Sequence, residues 1–293
     1  MIRASLGPYQ LVRRLGRGGM AEVFLAIAHG ASGFQREVAI KTLAPEHAGD
    51  PELERALIRE ATLGGTLRHR NLVAIEGLGC DDGAYYVVME YVDRGDLAHA
   101  LGGRPLGELL ALHVAHELAL GLAYLHAATD ARGLPLGIVH RDVSPANVLV
   151  SSTGDVKLGD FGVAKATALA DLTAAGTRKG KYAYMSPEQL AGDPLAPASD
   201  QFGLAATLVE LVTGVPPFAG DTPWAIMAAI RAGAAALGGL APDVMALVGR
   251  ALAPDPGDRF RTLAELASAI ADARRSRPPC GPVELAAHIL GVA

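Results

Sequence analysis

Between residues 138 and 162 the chain reads IVHRDVSPANVLVSSTGDVKLGDFG, and the types and spacing of its polar side chains suggest a reaction before they suggest a fold. Asp142 follows His140 and Arg141, Asn147 stands five residues later, and Asp160 heads the triplet Asp160-Phe161-Gly162 eighteen residues on. A carboxylate can orient a hydroxyl and accept its proton. An amide oxygen and a second carboxylate are the hard donors that Mg²⁺ takes. The chemistry that suits all three is phosphoryl transfer. Either triplet alone would be an ordinary turn, so the order and offsets carry the reading.

These groups need an element to hold them together. Val148-Leu149-Val150 and Val156-Lys157-Leu158 read as two short strands around a turn at Thr153-Gly154, a hairpin that brings Asp142, Asn147 and Asp160 to one end. The stretch resembles the catalytic and metal-binding loops of the protein kinase family, H-R-D-x-x-x-x-N followed by D-F-G.

The preceding residues extend the resemblance. Segments 9–17 and 22–28 alternate as strands around a glycine-rich turn, Leu15-Gly16-Arg17-Gly18-Gly19-Met20-Ala21-Glu22-Val23. Its glycines let backbone N–H groups approach phosphate oxygens. The third glycine of G-x-G-x-x-G is Ala21 here, and a hairpin turn alone explains the pattern as well. No helix pattern follows, which disfavours a dinucleotide-binding loop, and a kinase-type loop lies between strands with a valine after it, here Val23. A third strand, 37–43, holds Val38-Ala39-Ile40-Lys41, similar to V-A-I-K. A lysine among buried strand residues needs an anion, so Lys41 is expected to meet phosphate and a carboxylate. The expected partner is Glu60, on a helix over 51–67; a surface acid is the plainer alternative. Strands over 72–79 and 84–89 lead to Met89-Glu90-Tyr91-Val92, which resembles the hinge whose Glu90 and Val92 backbones meet adenine, with Met89 guarding the back pocket. The resemblance also assigns Ala39 and Leu149 to nucleotide. Asp96 falls where the family places a ribose-binding acid, and an acid there equally caps a helix.

From residue 106 on the pattern is helical: 106–128, 199–215, 224–232, 242–252, 263–274 and a short 282–290 whose role the sequence does not reveal. The resemblance implies that Asp200 supports the backbone at His140 and Arg141, and that Glu188, in Ser186-Pro187-Glu188, pairs with Arg259. Thr173 and Thr177 are candidates for phosphorylation, with Arg141 as receiver. Two departures matter. Where most Ser/Thr kinases have a lysine two residues after the catalytic Asp, this chain has Ser144, and where they have threonine after a glycine it has Lys181. We read these as an exchange, with the Lys181 ammonium contacting Asp142 and the γ-phosphate and Ser144 hydrogen-bonding nearby. An ammonium about 4 Å from a phosphate oxygen is worth on the order of 4 kcal/mol gross. Losing half of that would slow transfer roughly thirtyfold. Gly64 leaves a gap where the family places a bulky spine residue.

Composition removes other classes. The net charge of −5 gives no reason to expect nucleic acid or an anionic membrane. Cys80 and Cys280 form no CxxC or Cys/His cluster, which disfavours disulfides and zinc and fits a reducing compartment. The start lacks a signal-peptide core, and the apolar runs 204–215 and 225–241 hold Glu210 and Arg231 and are too short for a bilayer. A soluble, cytoplasmic chain is expected, which also fits the cytoplasmic part of a longer protein.

The expected architecture is an α+β, two-lobed kinase fold: an N-terminal tail (1–8), a kinase domain over 9–275 and an extension over 276–293. Its small lobe (9–91) has a five-stranded antiparallel sheet and one helix, and its larger lobe (92–275) is mainly helical. The resemblance is to bacterial Ser/Thr kinases of eukaryotic type. It implies transfer from ATP with Mg²⁺ at Asn147 and Asp160, protein substrates, and a transient homodimer for autophosphorylation. A nucleotide-binding scaffold without transfer is the alternative. A small-molecule kinase is a further rival, though it would usually lack the Ser186-Pro187-Glu188 segment and its arginine, and tyrosine specificity stays open.

Overall fold

The computed structural model describes residues 5–160, 179–233 and 235–291. They fall into two compact units: residues up to His69 with Val73–Val92, and Arg70–Leu72 with the residues from Asp93 onward.

The first unit is built on a six-stranded antiparallel sheet: β1 (Ser5–Leu6), β2 (Tyr9–Arg17), β3 (Ala21–His29), β4 (Gln35–Leu43), β5 (Ile75–Asp81) and β6 (Ala84–Glu90), in the order β1-β2-β3-β4-β6-β5. The two-residue edge strand β1 adds to the five strands expected. β5 starts later than its apolar pattern suggests. Leu72 instead bridges to Leu158, and Asn71 accepts the Leu158 N–H at 2.8 Å, so both belong to the second unit. Helix α1 (Pro51–Gly64) opens with Asp50 capping the N–H groups of Glu52 and Leu53 and ends at the Gly64-Gly65 pair. It packs on β4, β5 and β6.

Side-chain alternation sorts the sheet into two faces. Ala26, Val38, Ile40, Tyr86 and Val88 join Leu6 in a buried cluster on one. Registers Val23↔Lys41, Leu25↔Ala39, Ala39↔Met89 and Lys41↔Val87 put Val23, Ala39, Lys41 and Met89 on the other.

The second unit contains α2 (Leu97–Leu101), α3 (Glu108–His126), the hairpin β7 (Val148–Val150) and β8 (Val156–Leu158), α4 (Pro187–Ala191), α5 (Pro197–Thr213), α6 (Pro223–Arg231), α7 (Pro242–Ala251), α8 (Leu263–Arg275) and α9 (Pro282–Leu290). Helix α3 packs against α5, α8 and β8. Among the described residues it is the helix long and apolar enough to cross a membrane, and its apolar residues are largely buried in this unit. Asn71 sits beneath the hairpin, its side chain donating to Glu117 at 2.9 Å and to the Val156 carbonyl at 3.0 Å.

Candidate active site

In the first unit, Lys41 Nζ donates to Glu60 Oε1 at 2.7 Å. Lys41 is 9% and Glu60 4% exposed, so the charges meet with little water to screen them. Glu90 closes β6 with its N–H on the Ala74 carbonyl at 3.0 Å and its carboxylate on the Ala74 N–H at 3.1 Å, and Met89 and Val92 are buried.

The glycine-rich turn is tied by Gly18 N–H donating to the Ala21 carbonyl at 2.8 Å. Leu15 is exposed, and the Met20 carbonyl accepts from Ala44 N–H at 2.9 Å. Gly16 and Gly19 have no positive φ, and a Cβ on either would meet nothing within 4 Å. The chain's own conformation does not require glycine there, whereas a ligand lying along bare backbone N–H groups would. Glu22 and Arg17 point to neighbours instead: Glu22 accepts from Arg14 at 2.9 Å, and Arg17 reaches Glu46 at 2.5 Å.

In the second unit the carboxylate of Asp200, 1% exposed, accepts the N–H groups of His140 at 2.7 Å and Arg141 at 2.8 Å and His126 Nε2 at 2.7 Å. It thereby holds Arg141 at φ 69°, and Asp160 lies at φ 52°. Such conformations cost non-glycine residues about 1 kcal/mol or more and persist where surroundings impose them. His140 is fully buried. Its Nδ1 accepts from Asp142 N–H at 3.4 Å, so Nε2 carries the proton donated to the Gly159 carbonyl at 3.0 Å. Gly159 in turn donates its N–H to the Asn147 carbonyl at 2.9 Å. His140, Asn147 and the residue before Asp160 are thus linked through backbone.

Asn147 Nδ2 donates to the Asp142 carbonyl at 2.6 Å and to Asp142 Oδ2 at 2.8 Å, which leaves its amide oxygen as the coordinating end. Asp160 is exposed. Two hard oxygen donors are what Mg²⁺ takes. Among the described residues no group of three His, Cys, Asp or Glu converges as a transition-metal centre would require.

Lys181, in a 3₁₀ turn over Lys179–Tyr184, brings Nζ to 2.9 Å from both Asp142 carboxylate oxygens. Ser144 is buried. Its extended backbone at the head of the Pro145–Asn147 turn does not use the side chain as a cap. Asp96 is engaged as the cap of α2, accepting from His99 N–H at 2.8 Å, and it bridges to Leu149. Phe161, Thr173 and Thr177 lie outside the described residues.

Arg259 Nη1 and Nη2 donate to the two oxygens of Glu188 at 2.7 and 2.9 Å, and Ser199 adds a bond at 2.8 Å. Burial pushes the Glu188 carboxyl up, but Arg259 and Ser199 outweigh it and hold the group below the usual glutamate range. Nearby, Tyr184 donates to Glu210, and burial raises both groups above their ordinary values. Sequence reasoning missed Gln189, whose amide donates to the Arg141 carbonyl at 2.9 Å, and Gln201, which brackets Phe260 with bonds at 2.7 and 3.1 Å. Their partners lie 48 and 59 residues away, so no local signal marks them.

The sequence profile described as "Protein kinase domain" matches residues 9–266. Among curated proteins, the chain is 39% identical over 276 residues to Tyrosine-protein kinase MasK of Myxococcus xanthus, covering 90% of this chain and 42% of that protein. It is 35% identical over 288 residues to Serine/threonine-protein kinase PknB of Mycobacterium tuberculosis (94% and 44%) and 33% over 279 residues to PknD of the same organism (93% and 40%). The chain therefore spans about two fifths of the length of these relatives. Among solved structures, that of Rad53 residues 1–466 in complex with AMP-PNP aligns with a TM-score of 0.71 at 24% identity, covering 89% of this chain and 64% of that one.

Proposed function

Because the chain belongs to the protein kinase family, we propose that it transfers the γ-phosphoryl group of ATP to a hydroxyl of a protein substrate. In this reading the hydroxyl oxygen bonds to the γ-phosphorus, the β–γ bridging P–O bond breaks and ADP leaves. Asp142 orients the hydroxyl and takes its proton. Lys41, steadied by Glu60, holds the α- and β-phosphates, and the turn from Leu15 to Val23 covers them. Asn147 and Asp160 are the residues that would hold Mg²⁺, which when bound neutralises phosphate charge.

The observation that most supports transfer over scaffolding is the Lys181 ammonium, 2.9 Å from each oxygen of Asp142. A cation there occupies the role that Ser144 cannot fill and can pass to the γ-phosphate as the substrate hydroxyl engages the carboxylate. The names of PknB and PknD favour serine and threonine as targets, and that of MasK keeps tyrosine in play. We assign Ser/Thr specificity, autophosphorylation at Thr173 or Thr177 through a transient homodimer, and a cytoplasmic setting where ATP is supplied.

Incubation with ATP and Mg²⁺ followed by mass spectrometry tests this, with Asp142→Asn as control. Phosphoserine or phosphothreonine in the wild type and none in the control is expected. Phosphotyrosine alone would overturn the target assignment. No incorporation into the chain or a generic protein substrate would leave the scaffold reading.

A further inference from the structure

The segment after α8 has no role in the reaction as described, yet it remains part of the second unit. Arg277 ties it down through Nε to Glu108 at 2.7 Å and two bonds to Asp243 at 2.8 and 2.9 Å. Pro278 and Pro279 stiffen the next step. Arg274 holds the Cys280 carbonyl at 2.8 Å. Gly281 N–H donates to Glu284 at 2.8 Å to open α9, whose Leu285 is 0% exposed.

At the first residue of α9, backbone meets backbone. A Cβ on Gly154 would lie 1.9 Å from the Pro282 carbonyl oxygen and 2.6 Å from its carbon, distances no side chain tolerates, and Gly154 adopts φ +83°. Gly154 is in the turn between β7 and β8. That turn is braced from within: Ser151 and Thr153 donate to Asp155 at 2.8 and 2.6 Å, and Ser152 N–H donates to Asp93 at 2.8 Å. Each strand of the hairpin has three residues. A two-stranded ribbon is marginal alone and needs outside support. Asn147 directly precedes β7 and Asp160 follows β8, so the turn and these two side chains are opposite ends of a lever roughly 10 Å long.

We propose that residues 276–291 are a positioning strap. By seating the Pro282 backbone on Gly154 and anchoring Leu285, the strap fixes the far end of the hairpin whose near end presents Asn147 and Asp160. For the role of those two residues this rests on the kinase reading; the contact at Gly154 does not.

The test uses the full chain with Leu285→Asp, and Leu285→Ala should the former fail to fold. Gly154→Ala acts from the turn side, and Val283→Ala, at a position 76% exposed, is the control. Hydrogen exchange at the amides of Ser151, Ser152 and Asp155 should quicken about tenfold in the strap variants with α5 unchanged. The Mg²⁺ concentration for half-maximal rate should rise about threefold to tenfold, with kcat at saturating Mg²⁺ within about twofold. The control should match wild type in both. Unchanged turn protection overturns the strap, as does lost protection with an unchanged Mg²⁺ requirement. A wild-type chain without transfer would sink the kinase reading instead. Mn²⁺ affinity by proton relaxation then replaces the rate, and a strap variant that binds Mn²⁺ like wild type overturns the proposal.

Discussion

The two units hold their key charges in different ways. In the first, Lys41 and Glu60 form a buried pair at 2.7 Å on a sheet face, beside a turn whose Gly16 and Gly19 have open space around them. In the second, Asp142 takes bonds from Asn147 and Lys181, and the backbone beside it is held by Asp200 and Gln189. The first arrangement is a buried charge pair set on a regular surface. The second is a network in which strained backbone at Arg141 is over-determined. The sheet side should therefore tolerate change with graded losses of nucleotide affinity, and the network should fail abruptly in turnover or folding.

The largest effect should come from the centre of the network. Asp142→Asn keeps the shape but removes the proton acceptor, and kcat should fall on the order of a thousandfold with native circular dichroism. Next, Arg259→Met strands the buried Glu188 carboxylate, and urea titration should show a loss of about 3–5 kcal/mol. That pair also sets a pH signature. The Glu188 carboxyl is lowered in the native state, so its contribution is full above the ordinary glutamate range and fades as the pH falls below it. Glu210, raised by burial, has the opposite sign: its contribution is present below that range and lost as the pH rises through its raised native value. Thermal melts against pH should show the acid-side loss shrinking in a Glu188→Gln chain and the loss on raising pH shrinking in a Glu210→Gln chain.

Lys181→Met should lower kcat roughly thirtyfold with ATP KM within about twofold, and adding Ser144→Lys should recover most of it. Turnover near wild type in the single variant would refute the exchange. On the sheet side, Glu60→Gln should raise ATP KM about tenfold, since a neutral amide replaces a charge-assisted bond. Smallest of all, Gly19→Ala should leave stability within about 0.5 kcal/mol while raising ATP KM two- to threefold. A marked loss of stability there would end the contrast between the units.

The strands and helices could be read in advance because their signals are local: alternation along β2, helical spacing in α1, and a turn at Thr153-Gly154. Boundaries shifted where a distant partner intervened, as at Leu72, drawn to Leu158 rather than into β5. The candidate site was legible as an order of residue types, and less so as contacts. Asp96 fits two roles in the sequence, and its bond to His99 shows the cap. Ser144 is buried at the head of the Pro145–Asn147 turn, and its side chain does not cap that turn.

By itself, then, the amino-acid order determined the residue types, their spacing and the elements that carry them, because propensity and periodicity act over a few residues. Tertiary structure alone decided that Lys181 reaches Asp142 across 39 positions, that Arg259 finds Glu188 across 71, and that Gly154 lies bare beneath Pro282. Which side chains meet across such separations depends on the path of the whole chain and on burial, which makes a charge costly unless it is paired.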